Sequence, residues 1–178
     1  MYYDEVPCAS TEDQLEATQV RCVTSDKQEI PVEIGVLRVS KLLNEALGDS
    51  PNPKTTIPLP NINAQTFQAV VEWCKNHKGA PEPKVETDPI TRERKWFKMT
   101  DWEDDFFNRY TSIRWDLAMA ANYLNISSLY YYTCQKLAEL MKGKNPDEIR
   151  DMFGIEDDLT EEEKQEIRRS NQLRNPQQ

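Results

Sequence analysis

Chemistry, if this chain carried any, would have to begin at Cys74 and His77, three residues apart and the closest approach of a cysteine to the histidine in the sequence. His77 is the single histidine. A structural zinc site needs four ligands, and only the distant Cys22 and Cys134 are left to complete one. Cys8, Cys22, Cys74 and Cys134 form no C-x-x-C pair, so neither a zinc knuckle nor a redox couple is expected. Cys74 and Cys134 have no neighbouring base that would make either thiol a nucleophile. The carboxylates crowd toward the end: ten acids against Arg150 and Lys164 between Asp147 and Glu166. They lack the glycine-centred spacing of a calcium loop and read as a solvated surface. With five glycines there is no phosphate-cradling loop. Asn125-Ile126-Ser127 matches a glycosylation sequon. The residues therefore predict a non-enzymatic protein without cofactor or metal.

The same surface narrows the partners. A net charge of −9 repels phosphate backbones, so nucleic acid is not expected. Apolar residues are 38% and charged residues 30%, and no run of about 18 apolar residues spans a bilayer. The first nineteen residues resemble no signal peptide. A cytoplasmic and nuclear protein with reduced thiols is the expectation. Its partners would then be other proteins.

The elements that must present those surfaces can be read from period and caps. Residues 1–19 are polar and expected to be disordered. Val20–Val23 and Ile30–Ile34 predict a hairpin, with Pro31 at an edge or bulge. Ser40 caps a short helix carrying Leu42, Leu43, Ala46 and Leu47, and Gly48 stops it. Ile57–Pro60 is extended, because each proline disfavours helix in the residue before it. Asn63 caps a helix with Phe67, Val70, Val71 and Cys74 on one face and Trp73 on its flank. Residues 78–95 predict a flexible, acidic, proline-bearing insert. Helices follow at about 100–108, 111–124 and 127–142. Asn145-Pro146-Asp147-Glu148 opens another that Gly154 ends, and Thr160-Glu161-Glu162-Glu163 opens the last. The expected fold is α/β, a small N-terminal sheet with helices over 20–125 and a helical extension over 126–174, with a tail at 175–178.

Four segments in order now resemble a known family. Ile57-Pro58-Leu59-Pro60-Asn61-Ile62 followed by Val71-Glu72-Trp73-Cys74-Lys75-Asn76-His77 is similar to the PLPNV…VIQWCxxH region of Skp proteins. Ala120–Ile126 resembles AANYLDI, Met141–Arg150 resembles IKGKTPEEIR, and Phe153-Gly154-Ile155 with Leu159–Glu163 resembles FNI…FTEEEE. The resemblance implies a BTB/POZ-like fold and a non-catalytic adaptor that links F-box proteins to a cullin in a ubiquitin ligase. It implies that Asn122 and Tyr123 face the cullin, and that the C-terminal helices form a joint core with the F-box. Three segments depart from the family. Leu129-Tyr130-Tyr131-Tyr132 replaces LLD and a small apolar residue, Asn171-Gln172-Leu173-Arg174 replaces NQWC, and Ile113–Met119 replaces TLFELIL. The chain reads as a diverged paralogue.

The pattern of the last helices fits two-sided use. Tyr130, Cys134, Leu137 and Met141 fall at i, i+4, i+7 and i+11, one continuous stripe, while Leu129, Thr133, Ala138 and Leu140 lie elsewhere around the helix. Ile149, Met152 and Phe153 add a second strip, and Ile167 and Leu173 are the apolar anchors of the last helix. Taken with the resemblance, Tyr130, Cys134, Leu137, Met141, Ile149, Met152, Phe153 and Leu173 are the expected F-box contacts. The competing reading is a structural, self-assembling BTB-like protein; weak homodimerisation fits either reading.

Overall fold

The computed structural model describes residues 15–49 and 52–174; for Leu173 and Arg174 it describes the backbone alone. Most of the expected disordered segment 1–19, and the tail 175–178, lie outside the described residues. Of the former, Leu15 and Glu16 are helical, and the first strand begins at Gln19.

Strands β1 (Gln19–Thr24) and β2 (Glu29–Glu33) pair antiparallel, with Val20 opposite Val32 and Cys22 opposite Ile30. The turn uses Lys27 at φ 61°, and Asp26 accepts hydrogen bonds from the Thr24 hydroxyl (2.5 Å) and from the Ala64 amide (3.0 Å). Val20, Cys22 and Thr24 point inward, the period-2 alternation of a half-buried strand. The extended Ile57 stretch is itself a strand, β3 (Thr56–Leu59), parallel to β1, so the sheet order is β2-β1-β3. Pro31 thus sits on an edge strand, where its missing N–H costs no ladder bond.

Two short helices connect β2 to β3, α1 (Ile34–Leu37) and α2 (Lys41–Leu47). α3 (Ala64–Asn76) starts where Asn63 accepts a hydrogen bond from the Thr66 amide at 2.8 Å. α4 (Asp101–Arg109) opens on a capping box between Thr100 and Glu103. A 3₁₀ turn (Thr111–Ile113) leads to α5 (Arg114–Tyr123), then to α6 (Ser127–Met141).

Trp73 is no flank residue: it is fully buried and centres the core. Its ring lies 5.2–5.6 Å from those of Phe106, Phe107 and Tyr132, and its Nε1 donates to Ser128 Oγ at 3.1 Å. α3 is therefore enclosed on two sides, by α4 and by the start of α6, and its buried face is wider than one stripe.

The chain divides into two compact units, one through Glu139 and one from Leu140. The first unit thus takes in the beginning of the helical extension expected from 126. The physical reason is that Ile126, Leu129 and Thr133 are buried, with Ile126 and Leu129 part of the same core as Trp73.

The 78–95 insert also differs from expectation. It holds five basic and four acidic residues, so it is not acidic. It contains a small turn closed by an antiparallel bridge between Thr87 and Arg94, and Asp88 Oδ1 accepts from the Ile90 and Thr91 amides.

The second unit carries α7 (Pro146–Phe153) and α8 (Glu161–Arg174). Asn145 and Glu148 form a capping box, Pro146 takes the first position, and Gly154 ends α7 in the left-handed conformation at φ 62°. Asp157, between the helices, accepts from Lys164 at 2.6 Å and lies 3.6 Å from Arg150. The Lys164 ammonium holds that carboxyl below its usual range.

Candidate protein-interaction surfaces

Asn122 and Tyr123 end α5, and the position of that end is fixed by a helix-to-helix junction. The first amides of a helix and the last carbonyls of another are both without intrahelical partners. Here they meet: the Lys41 and Leu42 amides donate to the carbonyls of Asn125 and Leu124, each at 3.4 Å. Ser40 Oγ donates to the Leu124 carbonyl at 2.5 Å while accepting from the Leu43 amide at 3.1 Å. Asn125 turns the chain at φ 53°, a conformation that asparagine tolerates. At the other end, the buried Arg114 guanidinium donates to the Phe107 carbonyl from Nε (3.1 Å) and Nη2 (3.0 Å), joining the Thr111 hydroxyl at this carbonyl in the last turn of α4. That is the role of one departure from the family pattern.

α5 is thereby held with Leu117, Ala120, Ala121 and Leu124 inward. Outward it presents Trp115, Met119 and Tyr123, respectively 56%, 55% and 39% exposed. Their i, i+4, i+8 spacing makes one apolar ridge. Asn122 is exposed beside it. The sequence reading singled out only Asn122 and Tyr123. The missed signal was spacing: Trp115 and Met119 lie one and two turns before Tyr123 on the same face.

α6 divides the other candidate residues. Tyr130 is 36% exposed and Cys134 half-buried, but Leu137 is only 7% exposed. Leu137 was expected to point at a partner, and this is corrected: it is covered within the chain. Its neighbour one turn back, Thr133, is buried as well, so the stripe turns inward along the helix.

In the second unit Met141, Ile149 and Phe153 are half-buried, and Met152 is 37% exposed. No residue of α7 is fully buried, so its apolar strip stays accessible. Leu173 lies in α8, outside the described side chains.

The groups that might have carried chemistry are otherwise engaged. Burial pushes the Cys22 and Cys74 thiols up to about 12, far from the thiolate form that attacks or ligates. His77 stacks on Trp73 at 3.9 Å; its Nδ1 faces the Trp73 carbonyl and its Nε2 faces Glu103, each at 3.0 Å. It ties the end of α3 to the start of α4. Among the described residues no group of three or more His, Cys, Asp or Glu is placed to hold a metal ion.

Exposed apolar ridges on pinned helices are features that suit a protein-docking module. Comparison with known proteins agrees. Residues 18–79 match the model of the Skp1 family tetramerisation domain and residues 127–174 that of the Skp1 family dimerisation domain. The E3 ubiquitin ligase complex SCF subunit sconC of Arthroderma otae is 36% identical over 87% of this chain and 93% of its own length. That of Arthroderma benhamiae is 37% identical over 86% and 93%. SKP1-like protein 9 of Arabidopsis thaliana is 36% identical over 83% and 91%. The chain belongs to the Skp1 family.

Proposed function

We propose that this chain is a non-catalytic adaptor subunit of an SCF-type E3 ubiquitin ligase, joining an F-box protein to a cullin. The observation that carries the reading is family membership across nearly the whole chain, with relatives named as SCF subunits. The sheet and helices of residues 20–125 are read as a BTB/POZ-like module. The Trp115–Met119–Tyr123 ridge with Asn122 is the cullin face. F-box contacts are read in each unit by itself: Tyr130 and Cys134 in the first, and Met141, Ile149, Met152, Phe153 and Leu173 in the second. Work in the cytoplasm and nucleus follows from this role.

A second reading is self-association of the free chain, favoured by the family descriptions, which speak of dimerisation and tetramerisation. Light scattering on a sizing column separates the two. Mixed with an F-box domain and a cullin N-terminal domain, the chain should elute as a 1:1:1 complex. A homo-oligomer that ignores both would sink the adaptor reading.

A further inference from the structure

Just after the insert, in a stretch that neither family model covers, the chain is fastened to α6. Gln135, 9% exposed, grips the backbone of Phe97 in both directions: its Oε1 accepts from the Phe97 amide at 2.7 Å and its Nε2 donates to the Phe97 carbonyl at 2.9 Å. The Phe97 ring stacks on Tyr132 with centroids 5.1 Å apart and planes 16° from parallel. Such a doubly bonded amide with a stacked ring fixes the strand-like segment 94–97 alongside the helix.

This strap carries Arg94 to a specific place. Its guanidinium lies over the Phe97 ring at 5.1 Å and over the Tyr131 ring at 5.2 Å. Among the described residues its close partners are these aromatic faces, and no ion pair there uses it. The Tyr131 ring is 5.8 Å from that of Tyr130. The Tyr130 phenol is raised above its usual range chiefly by the neighbouring Cys134, and the Arg94 charge opposes that shift, so the cation is felt at Tyr130. Tyr130 and Cys134 are the first-unit residues of the proposed F-box face.

We infer that Arg94 is a specificity-determining residue of that face, selecting F-box segments that place an aspartate or glutamate against the Arg94–Tyr131–Phe97 cluster. The inference rests on the adaptor reading. A guanidinium lying over ring faces can still donate N–H groups in its own plane, so it can take a carboxylate in the fork geometry that guanidinium favours without leaving the aromatics. Holding Arg94 in place beforehand lowers the ordering cost on binding. A basic or neutral segment at the same place would leave the cation desolvated and unpaired, which discriminates against it. The tyrosine triplet, a departure from the family pattern, and the segment that follows the insert thus act together as one device.

The test uses the full chain and a panel of recombinant F-box domains that differ in acidic residues, titrated calorimetrically at low and moderate salt. Arg94 is exposed, so Arg94→Ala should leave the melting temperature unchanged. For acid-bearing domains it should weaken binding about five- to tenfold, and Arg94→Glu should weaken it further, with the difference shrinking as salt rises. Changing each acidic residue of one tight-binding F-box domain to lysine should reveal one that restores binding to Arg94→Glu and harms binding to the wild type. Phe97→Ala, which loosens the strap, should flatten the preference for acidic domains. Equal affinities of wild type, Arg94→Ala and Arg94→Glu for every domain would overturn the role of Arg94 and leave the adaptor reading standing. Failure of the wild type to bind any F-box domain would overturn both.

Discussion

Replacing Asn122 and Tyr123 together by lysine should separate cullin binding from folding. Tyr123 is 39% exposed. With about 200 Å² for a large aromatic side chain, some 80 Å² is open to a partner, and at about 25 cal/mol per Å² its burial contributes about 2 kcal/mol. Losing it costs about thirtyfold in Kd, and two ammonium groups against an apolar partner add to that. The fold should not notice. The core face of α5 is Leu117, Ala120, Ala121 and Leu124, and the α2–α5 junction uses backbone carbonyls and Ser40. Titration of a cullin N-terminal domain, with a thermal melt followed by circular dichroism, reads both quantities. The expected result is a loss of at least about 2 kcal/mol in cullin affinity, as hot-spot truncations show, an unchanged melt and unchanged F-box binding. Undiminished cullin affinity in the well-folded double variant would refute the assignment of this face.

Leu137→Asp should lower stability by more than about 3 kcal/mol, because it buries an unpaired charge, whereas Met152→Asp on the open face of α7 should weaken F-box capture with no change in the melt; the reverse pattern would restore Leu137 to the partner face. Exchanging residues 83–93 for a short Gly/Ser linker should change stability by less than about 1 kcal/mol, since closure entropy varies only logarithmically with length; collapse on urea titration would show the Thr87–Arg94 turn to be packed. Hydrogen bonds, first from Thr24, hold the Asp26 carboxyl below its usual range. A depressed folded pKa gives stability that is present above the unfolded value and lost as pH falls through the folded one. Below about pH 4 the wild type should therefore lose stability more steeply than Asp26→Asn, and parallel acid melts would refute this role.

How much of this was legible beforehand follows from the range of the interactions. Helix ends at Ser40, Asn63, Asn145, Gly154 and Thr160 were readable because a cap is a bond between residues three or four apart. The hairpin was readable for the same reason. The place of Trp73 was not: helical spacing tells which residues share an angle, not how many sides of the helix will be covered. β3 looked extended, but its parallel pairing with β1 depends on α1 and α2 folding between them. The Gln135–Phe97 grip joins residues 38 apart, and no local pattern announces it.

The candidate surfaces divide along the same line, and the division explains which expectation failed. Asn122 and Tyr123 were reached through resemblance to a motif, and their exposure follows from a junction built of neighbouring segments. Leu137 was reached through a stripe at i, i+4, i+7 and i+11, which assumes that one face of a helix keeps one environment along its length. α6 violates that assumption. Its Leu129 enters the core around Trp73, its Tyr130 stays open, and by Leu137 the same stripe has become buried. A helix that begins in one packing environment and ends at the boundary of a compact unit changes neighbours every turn. Its outward face must therefore be read turn by turn, with the accessible positions Tyr130 and Cys134 weighed apart from Leu137. By that criterion the chain's own part of the proposed F-box face in the first unit is small, so on that reading selectivity there comes from what is added beside it. The strap bearing Arg94 is the proposed added element.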